Sequence, residues 1–186
     1  MHHDEDLLEQ LTADHRAVLV HFSELSGLPH GDPRRKELAD QVTDQLVRHT
    51  RAEELHLYPL VRDRMADGPA VAERELADHR AVEALLQELR PTGVDSPHFD
   101  RLVARLTEEV TRHAGDEDAR LFPAVRAVTT EAELRELAAR AREAKERSSG
   151  RPRHQPPTER PADRLPPPER PLVERLRDYV SRAEPG

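Results

Sequence analysis

Apolar residues recur at intervals of three and four along four stretches of the chain. This spacing places them on one face of an α-helix, so each stretch predicts an amphipathic helix. The four stripes are Leu8, Leu11, Val18, Phe22 and Leu25; Leu38, Val42, Leu46 and Leu60; Val71, Leu76, Val82, Leu86 and Leu89; and Leu102, Leu106, Val110, Leu121 and Ala124. We expect helices near residues 4–28, 34–66, 69–90, 97–127 and 130–147. Their short connections predict an all-α fold, an antiparallel four-helix bundle followed by an extra helix.

Prolines mark some of the predicted boundaries. Asp32-Pro33 sets a capping residue before a proline at the first helical position, which is a typical helix start. Pro59 and Pro123 fall inside predicted helices instead. Proline removes a backbone hydrogen bond, so we expect each to kink or end its helix.

The chain repeats itself at an offset of 64 residues. A single shift that aligns two separate segments predicts a helix pair used twice, and two such pairs form a bundle with pseudo-two-fold symmetry. The offset maps Ala13–Val18 onto Ala77–Val82, Arg48-His49 onto Arg112-His113, Glu53 onto Glu117, and Leu57–Pro59 onto Leu121–Pro123.

Polar residues at repeated positions are predicted to face the interior of this bundle. His49 and Glu53 lie four residues apart, so both project from one face of the second helix. His15 interrupts the apolar stripe of the first helix. The full set is His15, His49, Glu53, His79, His113 and Glu117.

Six buried polar groups need partners, because burying them unpaired costs free energy. A metal centre would satisfy them, and a hydrogen-bonded network of histidine and glutamate is the structural alternative. Imidazoles and carboxylates without thiolates suit iron, manganese or zinc. Two carboxylates from opposite helices can bridge two ions, and in a helical bundle this pattern favours a di-iron centre.

Composition narrows the function classes. The chain has 186 residues, no cysteine and only 3% aromatic residues, which excludes disulfides and thiolate metal sites and argues against a β-sandwich. The formal net charge of −8 disfavours nucleic acid as a partner. We find no signal peptide and no membrane segment in the sequence, so the prediction is a cytoplasmic protein without a membrane partner.

The C-terminal region has a different composition from the rest. Eight of the 16 prolines fall between Pro152 and Pro171. We predict a bundle with a fifth helix over residues 1–147, a disordered Pro/Arg-rich linker over 148–171 and a short amphipathic helix over 172–186. A helix this short needs a surface to pack against, so the expectation includes a protein partner for it.

The arrangement of His15, His49-x-x-x-Glu53, His79 and His113-x-x-x-Glu117 resembles the hemerythrin-like family of HHE cation-binding domains. The resemblance covers roughly residues 7–127 and implies a four-helix bundle with two non-haem iron ions. It assigns His15 and His49 to one iron, His79 and His113 to the other, and Glu53 and Glu117 as bridges. Family members often have a further ligand one turn before the third-helix histidine. Here that residue is Glu75, so the implied metal ligands are His15, His49, Glu53, Glu75, His79, His113 and Glu117.

Glu75 makes the two predicted iron positions unequal. The 64-residue offset maps Glu75 onto Leu11, which cannot bind a metal. The iron near His15 would then be one ligand short, and we expect oxygen, nitric oxide or peroxide to bind there in a pocket bounded by Leu11.

Residues flanking the predicted ligands have simpler expected roles. Glu54 and Asp118 match across the repeat and are expected to be solvated, with hydrogen bonds to histidine nitrogens as the alternative. Tyr58 and Phe122 are expected to be core aromatic residues. His56 is expected at the edge of the site or on the surface.

Three functional classes remain open at this stage. The first is a protein that binds or senses oxygen, nitric oxide or iron, and the sequence modestly favours it. The second is a di-iron enzyme that acts on peroxide, as a catalase does, or on nitric oxide. The third is an interaction module in which the bundle is only a scaffold.

Overall fold

Four long helices form the bundle, near the positions that the periodicity predicts. The computed structural model describes residues 5–149, with side chains up to residue 143. The helices are α1 Leu7–Gly27, α2 Arg34–Ala52, α3 Tyr58–Arg64, α4 Gly68–Leu89, α5 Pro97–Asp116, α6 Phe122–Val128 and α7 Glu131–Ser149. Two π-helical turns, Glu53–Leu57 and Glu117–Leu121, join α2 to α3 and α5 to α6. The described residues contain no strand, and the predicted helical-bundle fold is confirmed.

The helices pack as two pairs, as the internal repeat predicts. We call α1, α2, the first π turn and α3 the first helix pair, and α4, α5, the second π turn and α6 the second helix pair. Within the pairs α1 packs on α2 and α4 on α5, while α1–α5 and α3–α4 contacts join the pairs. A capping box starts α1, where Asp6 accepts a hydrogen bond from the Glu9 amide and Glu9 accepts one from the Asp6 amide.

Both predicted helices are interrupted before their prolines, as expected for a residue without a backbone donor. Each predicted helix passes through its proline region by a π turn of five residues, after which Pro59 and Pro123 stand in the first turn of α3 and α6. The Tyr58 amide donates to the Glu53 carbonyl, five residues earlier. The wider turn holds one extra residue before the proline ring, and the chain continues beyond it as α3 and α6.

Two hydrophobic clusters hold the bundle together, one on each side of the histidines. The first cluster includes Val18, Phe22, Leu46, Leu86 and Leu106. The second includes Leu7, Leu11, Leu57, Phe122 and Val125, and α7 adds Leu134 and Ala138 to it. Burial of this apolar surface is the main force that fixes the helices around the polar layer between the clusters.

The C-terminal predictions lie largely outside the described residues. Helix α7 reaches Ser149, two residues into the predicted linker. The remainder of that linker and the amphipathic helix over 172–186 fall outside residues 5–149. None of the helices in the described part combines the length and the apolar character needed to cross a membrane.

Candidate metal centre

Four buried histidines, one from each long helix, meet at the middle of the bundle. The relative exposure of His15, His49, His79 and His113 is 4%, 5%, 1% and 6%. His15 Nε2 lies 3.0 Å from His49 Nε2 within the first helix pair. The rings of His79 and His113 in the second pair have centroids 5.1 Å apart. The internal repeat therefore brings its two histidine pairs face to face.

Two glutamates join these histidine pairs. Glu53 and Glu117 begin the two π turns, and both side chains are completely buried. Glu53 Oε1 lies 3.0 Å from His49 Nε2, and Glu53 Oε2 lies 3.2 Å from His79 Nε2. One carboxylate thus contacts a histidine of each helix pair, as a bridging ligand must.

Glu117 occupies the equivalent position in the second pair. Glu117 Oε2 lies 3.3 Å from His15 Nε2 and 3.5 Å from His113 Nε2. Ligand-capable atoms form three compact groups, each with all atoms within 4.8 Å of one another. The groups are His15, His49, Glu53 and Glu117; Glu53, His79 and His113; and Glu75, His113 and Glu117. The structure therefore brings all seven residues named from the sequence to one site.

The unsatisfied atoms of this cluster fit a cation better than a hydrogen-bonded network. Both Glu53 oxygens, Glu117 Oε2 and His113 Nε2 are buried without a hydrogen-bond partner in the described residues, although histidine and glutamate atoms lie close by. Their lone pairs converge on common space instead of pairing with donors. Orphaned buried carboxylate oxygens are costly, and a positive ion between them removes that cost.

The electrostatics of the metal-free cluster show the same strain. Burial and the neighbouring Glu53 raise the pKa of Glu117. Burial lowers the pKa of His49, but the charges of Glu53 and Glu117 and hydrogen bonds to Asp14 and Glu53 together outweigh it and raise that pKa to about 10. Protons held on the histidines thus balance the buried carboxylates when no metal is present, and a metal ion must displace them.

Each of the four histidines has a carboxylate beside its second ring nitrogen. A ligating histidine is usually oriented by such a partner, which fixes its tautomer and its direction. The Nδ1 to carboxylate-oxygen distances are 3.3 Å for His15 and Asp118, 3.8 Å for His49 and Asp14, 3.1 Å for His79 and Glu54, and 3.7 Å for His113 and Asp78. Glu54 and Asp118 therefore hold histidines, which corrects the expectation that they are only solvated charges.

Glu75 stands at the edge of the cluster beside His113. Its Oε2 atom lies 3.4 Å from His113 Nδ1, and its Oε1 atom accepts a hydrogen bond from Arg74. Burial raises the pKa of Glu75, but the hydrogen bonds and the positive charges of His113 and Arg74 together lower it overall, so this residue is an anion. Its repeat counterpart, Leu11, packs in the second hydrophobic cluster. The two halves of the centre are chemically unequal, as the sequence indicates.

Tyr58 belongs to the site, although its position in the sequence indicates only a core aromatic residue. Its hydroxyl donates to Glu117 Oε1 at 3.2 Å and lies 3.0 Å from His79 Nε2. Burial, followed by the charges of Glu117 and Glu53, raises the pKa of Tyr58 well above its usual value, so the hydroxyl keeps its proton. A spacing of five from Glu53 points about 140° away on an α-helix, but a π turn closes over five residues and brings Tyr58 back to the same face. Its counterpart Phe122 stacks on the His15 ring.

A small cavity adjoins the histidines on the side of the first hydrophobic cluster. The space open to the centre of a water-sized molecule is about 20 Å³. Val18, Leu46, Val82 and Val110 form its apolar wall, and the four histidines line the opposite side. Leu11 does not line it, so the cavity lies on the other side of the histidines from the pocket expected from the sequence. The volume suits a molecule of water, oxygen or peroxide size.

Comparison with known proteins places this arrangement in a family. A crystal structure of a hemerythrin HHE cation-binding domain-containing protein from Mycobacterium kansasii has the same fold, with a TM-score of 0.68 and 24% identity, covering 78% of this chain and 88% of that one. A DNA nickase from Nostoc sp. (strain PCC 7120) is 30% identical over 125 residues, or 66% of this chain. The chain spans only 34% of the nickase. The Hemerythrin HHE cation binding domain profile matches residues 6–125, which include every histidine and glutamate of the cluster. This chain belongs to the hemerythrin HHE cation-binding domain family.

Proposed function

We propose that this protein is a non-haem di-iron protein whose centre binds or senses a small ligand such as oxygen or nitric oxide. The observation that carries the proposal is the contact of Glu53 with His49 on one side and His79 on the other. A carboxylate in this position can serve two ions at once. His15 and His49 would hold one iron, and His79, His113 and Glu75 the other, with Glu53 and Glu117 shared.

The donor set supports iron over zinc. Structural zinc is almost always held by four ligands in a tetrahedron, often with thiolates. Seven imidazole and carboxylate donors around two positions exceed that need and match the higher coordination numbers of iron. The apolar cavity beside the histidines then gives a small ligand room next to the metal.

Tyr58 supports a second candidate function, the disproportionation of hydrogen peroxide. In that reaction one peroxide molecule is reduced to two waters while another is oxidised to oxygen, and bound iron would supply the electron transfer. The chain would supply a proton-bearing hydroxyl, held between Glu117 and His79, that can donate a hydrogen bond to a peroxide oxygen. The negative charge of Glu75 would favour the oxidised metal, which disfavours reversible oxygen carriage.

The name of the nickase does not extend to this chain. The match covers about a third of that protein. The net charge of −8 of this chain repels polyanionic DNA. We propose that the shared segment supplies metal binding and that this chain has no nucleic-acid partner. A cytoplasmic location and a protein partner for the C-terminal helix stay predictions of the sequence.

Metal analysis and an oxygen electrode test the two functions together. Purified protein should contain two iron ions per chain by elemental analysis, and addition of azide or nitric oxide should change the absorption bands of the centre. Zinc or an absence of metal would contradict the di-iron proposal. Oxygen release after addition of peroxide would establish the second function. Binding of azide or nitric oxide without oxygen release from peroxide would support only the first.

A further inference from the structure

Two edges of the bundle, related by the internal repeat, flank the histidine layer. At the α4–α5 edge, Arg112 ties the helices together. Its guanidinium lies 3.0 Å from Asp78 Oδ1 and 3.0 Å from Glu109 Oε2, and also lies 3.9 Å from Asp116 Oδ2. These ion pairs close the edge directly outside His113, which Asp78 faces.

The α1–α2 edge retains only part of this arrangement. Arg48 and Asp14 are the repeat counterparts of Arg112 and Asp78, but Gln45 replaces Glu109 and Ala52 replaces Asp116. An amide and a methyl group cannot form the ion pairs that the two carboxylates form. Gln45 Oε1 instead lies 2.8 Å from His21 Nδ1, on the neighbouring helix. The pseudo-symmetry of the bundle is therefore broken at the surface beside the metal site.

The cavity beside the histidines extends toward the α1–α2 edge. Asp14, Gln45 and Thr50 line it at the α1–α2 edge, whereas Asp78 and Glu109, the counterparts of the first two, do not. Asp14 is 39% exposed and Gln45 is half-buried, so this wall is the one that reaches the surface. The rest of the lining is buried and consists of the four histidines and the apolar side chains of Val18, Leu46, Val82, Val110 and Ala114.

We propose that small ligands reach the metal centre between α1 and α2, and that Gln45 controls their passage. The inference rests on the proposed function, because it takes the centre to bind a small molecule. The apolar wall and the cavity volume select an uncharged molecule of two to four atoms, such as oxygen, nitric oxide or hydrogen peroxide. The Arg112 ion pairs exclude the equivalent route between α4 and α5.

Nitric oxide, which is uncharged, tests the route on iron-loaded protein. Gln45→Glu places a carboxylate beside Arg48, as Glu109 stands beside Arg112. Nitric oxide must then break an added ion pair to enter, so stopped-flow absorbance should show association and dissociation slowed about fivefold. The Kd should stay within about twofold, because a gate changes both rates alike. The double variant Gln45→Glu with Arg48→Ala should restore fast binding. Glu109→Gln, the mirror-image control, keeps the Arg112–Asp78 ion pair that joins α4 to α5, so that edge should stay closed and the rates should remain within about twofold of the wild type.

Xenon binding to metal-free protein tests the route without iron. Xenon NMR should show slower exchange in Gln45→Glu than in the wild type and in Glu109→Gln, and Val82→Phe should abolish binding by filling the cavity. If the protein takes up no iron but xenon exchange follows this order, the proposed function fails and the route stands. Equal rates in Gln45→Glu and the wild type, or faster entry in Glu109→Gln, would overturn the route.

Discussion

The two oxygens of Glu53 face histidines from different halves of the chain. Oε1 lies near His49, on the same helix pair, and Oε2 lies near His79, on the other. The next residue, Glu54, faces the outer nitrogen of His79 instead. Two adjacent glutamates therefore have different tasks, since one meets the ligand face of the cluster and the other orients a ligand from behind.

Substitution of these two glutamates separates the tasks. Glu53→Ala should reduce the iron content from two ions to one or none, because both ions lose a shared ligand. Glu54→Ala is the matched control and should still reach two irons, with affinity lowered about 10- to 100-fold by the loss of histidine orientation. Elemental analysis and competition with a chelator measure both effects. Equal losses in the two variants would mean that the register of the first π turn is wrong.

Tyr58 gives a second prediction at the level of a single atom. Tyr58→Phe removes the hydroxyl that lies between Glu117 and His79 and keeps the ring in the core. If the centre decomposes peroxide, oxygen release should fall about 100-fold while the iron content stays at two. Thr43→Val removes a hydroxyl that bonds only the Ala39 carbonyl in the described residues and should leave oxygen release unchanged. An undiminished rate in Tyr58→Phe would remove the tyrosine from the chemistry.

The π turns explain which parts of the site the sequence could predict. His15, His49, Glu53 and their counterparts follow α-helical spacing, so periodicity and the repeat identify them. Tyr58 follows the spacing of a π turn. A single π turn leaves no recurring pattern in the sequence, and the adjacent Pro59 indicates the end of a helix instead. The carboxylate partners of the histidines were visible as repeated residues, but their direction depends on helix rotation, which sequence spacing fixes only coarsely.

A deletion tests the extra residue of the first π turn. Removing Leu55, which is 44% exposed, should turn Tyr58 and Val61 away from the core by about 100°. Both are buried almost completely, so the free energy of unfolding should fall by about 4 kcal/mol or more. Chemical denaturation measures the change. Deletion of Gly93, in the connection before α5 where a side chain would meet open space, is the control and should cost much less.

On the scale of the whole molecule, the metal site is a polar layer between two hydrophobic clusters. The clusters supply the free energy that holds four imidazoles and three carboxylates out of water. The metal-free protein must therefore keep its site charged and balanced by protons. Its stability should depend on pH in a way that the iron-loaded protein does not share.

Stability of the metal-free protein should fall as the pH rises. The pKa of His49 is raised from 6.5 to about 10, so its protonated form stabilises the fold fully below pH 6.5, and this contribution is lost as the pH rises through about 10. The pKa values of His79 and His113 are raised in the same direction, against the effect of burial. Thermal unfolding between pH 6.5 and 10 in the presence of a chelator measures the loss. A flat profile would contradict the charged cluster, and the iron-loaded protein is the control.

Truncation separates the role of the bundle from that of the C-terminal region. A chain ending at Arg147 should keep both irons, because the cluster and both hydrophobic clusters precede that point. A chain ending at Thr129 loses Leu134 and Ala138 from the second hydrophobic cluster, and the free energy of unfolding should fall by about 3 kcal/mol or more. Iron content and thermal unfolding of the two chains measure these effects. Loss of iron in the longer chain would give the C-terminal region a role in the centre.

The crossing of Glu53 and Glu117 between the helix pairs has a consequence for folding. His15 and His49 are 34 residues apart, within one helical hairpin, so each histidine pair can assemble early and locally. The carboxylates contact histidines of the other helix pair, and Glu117 is 102 positions from His15 in the sequence. Neither ion would therefore have all its ligands until the two helix pairs dock. A metal would therefore bind the docked chain far more tightly than either hairpin, and its binding energy would add to the cooperativity of the final step. Bound iron would then lock the docked helix pairs together, and its removal would leave them joined by their hydrophobic contacts and by hydrogen bonds such as that from Tyr58 to Glu117.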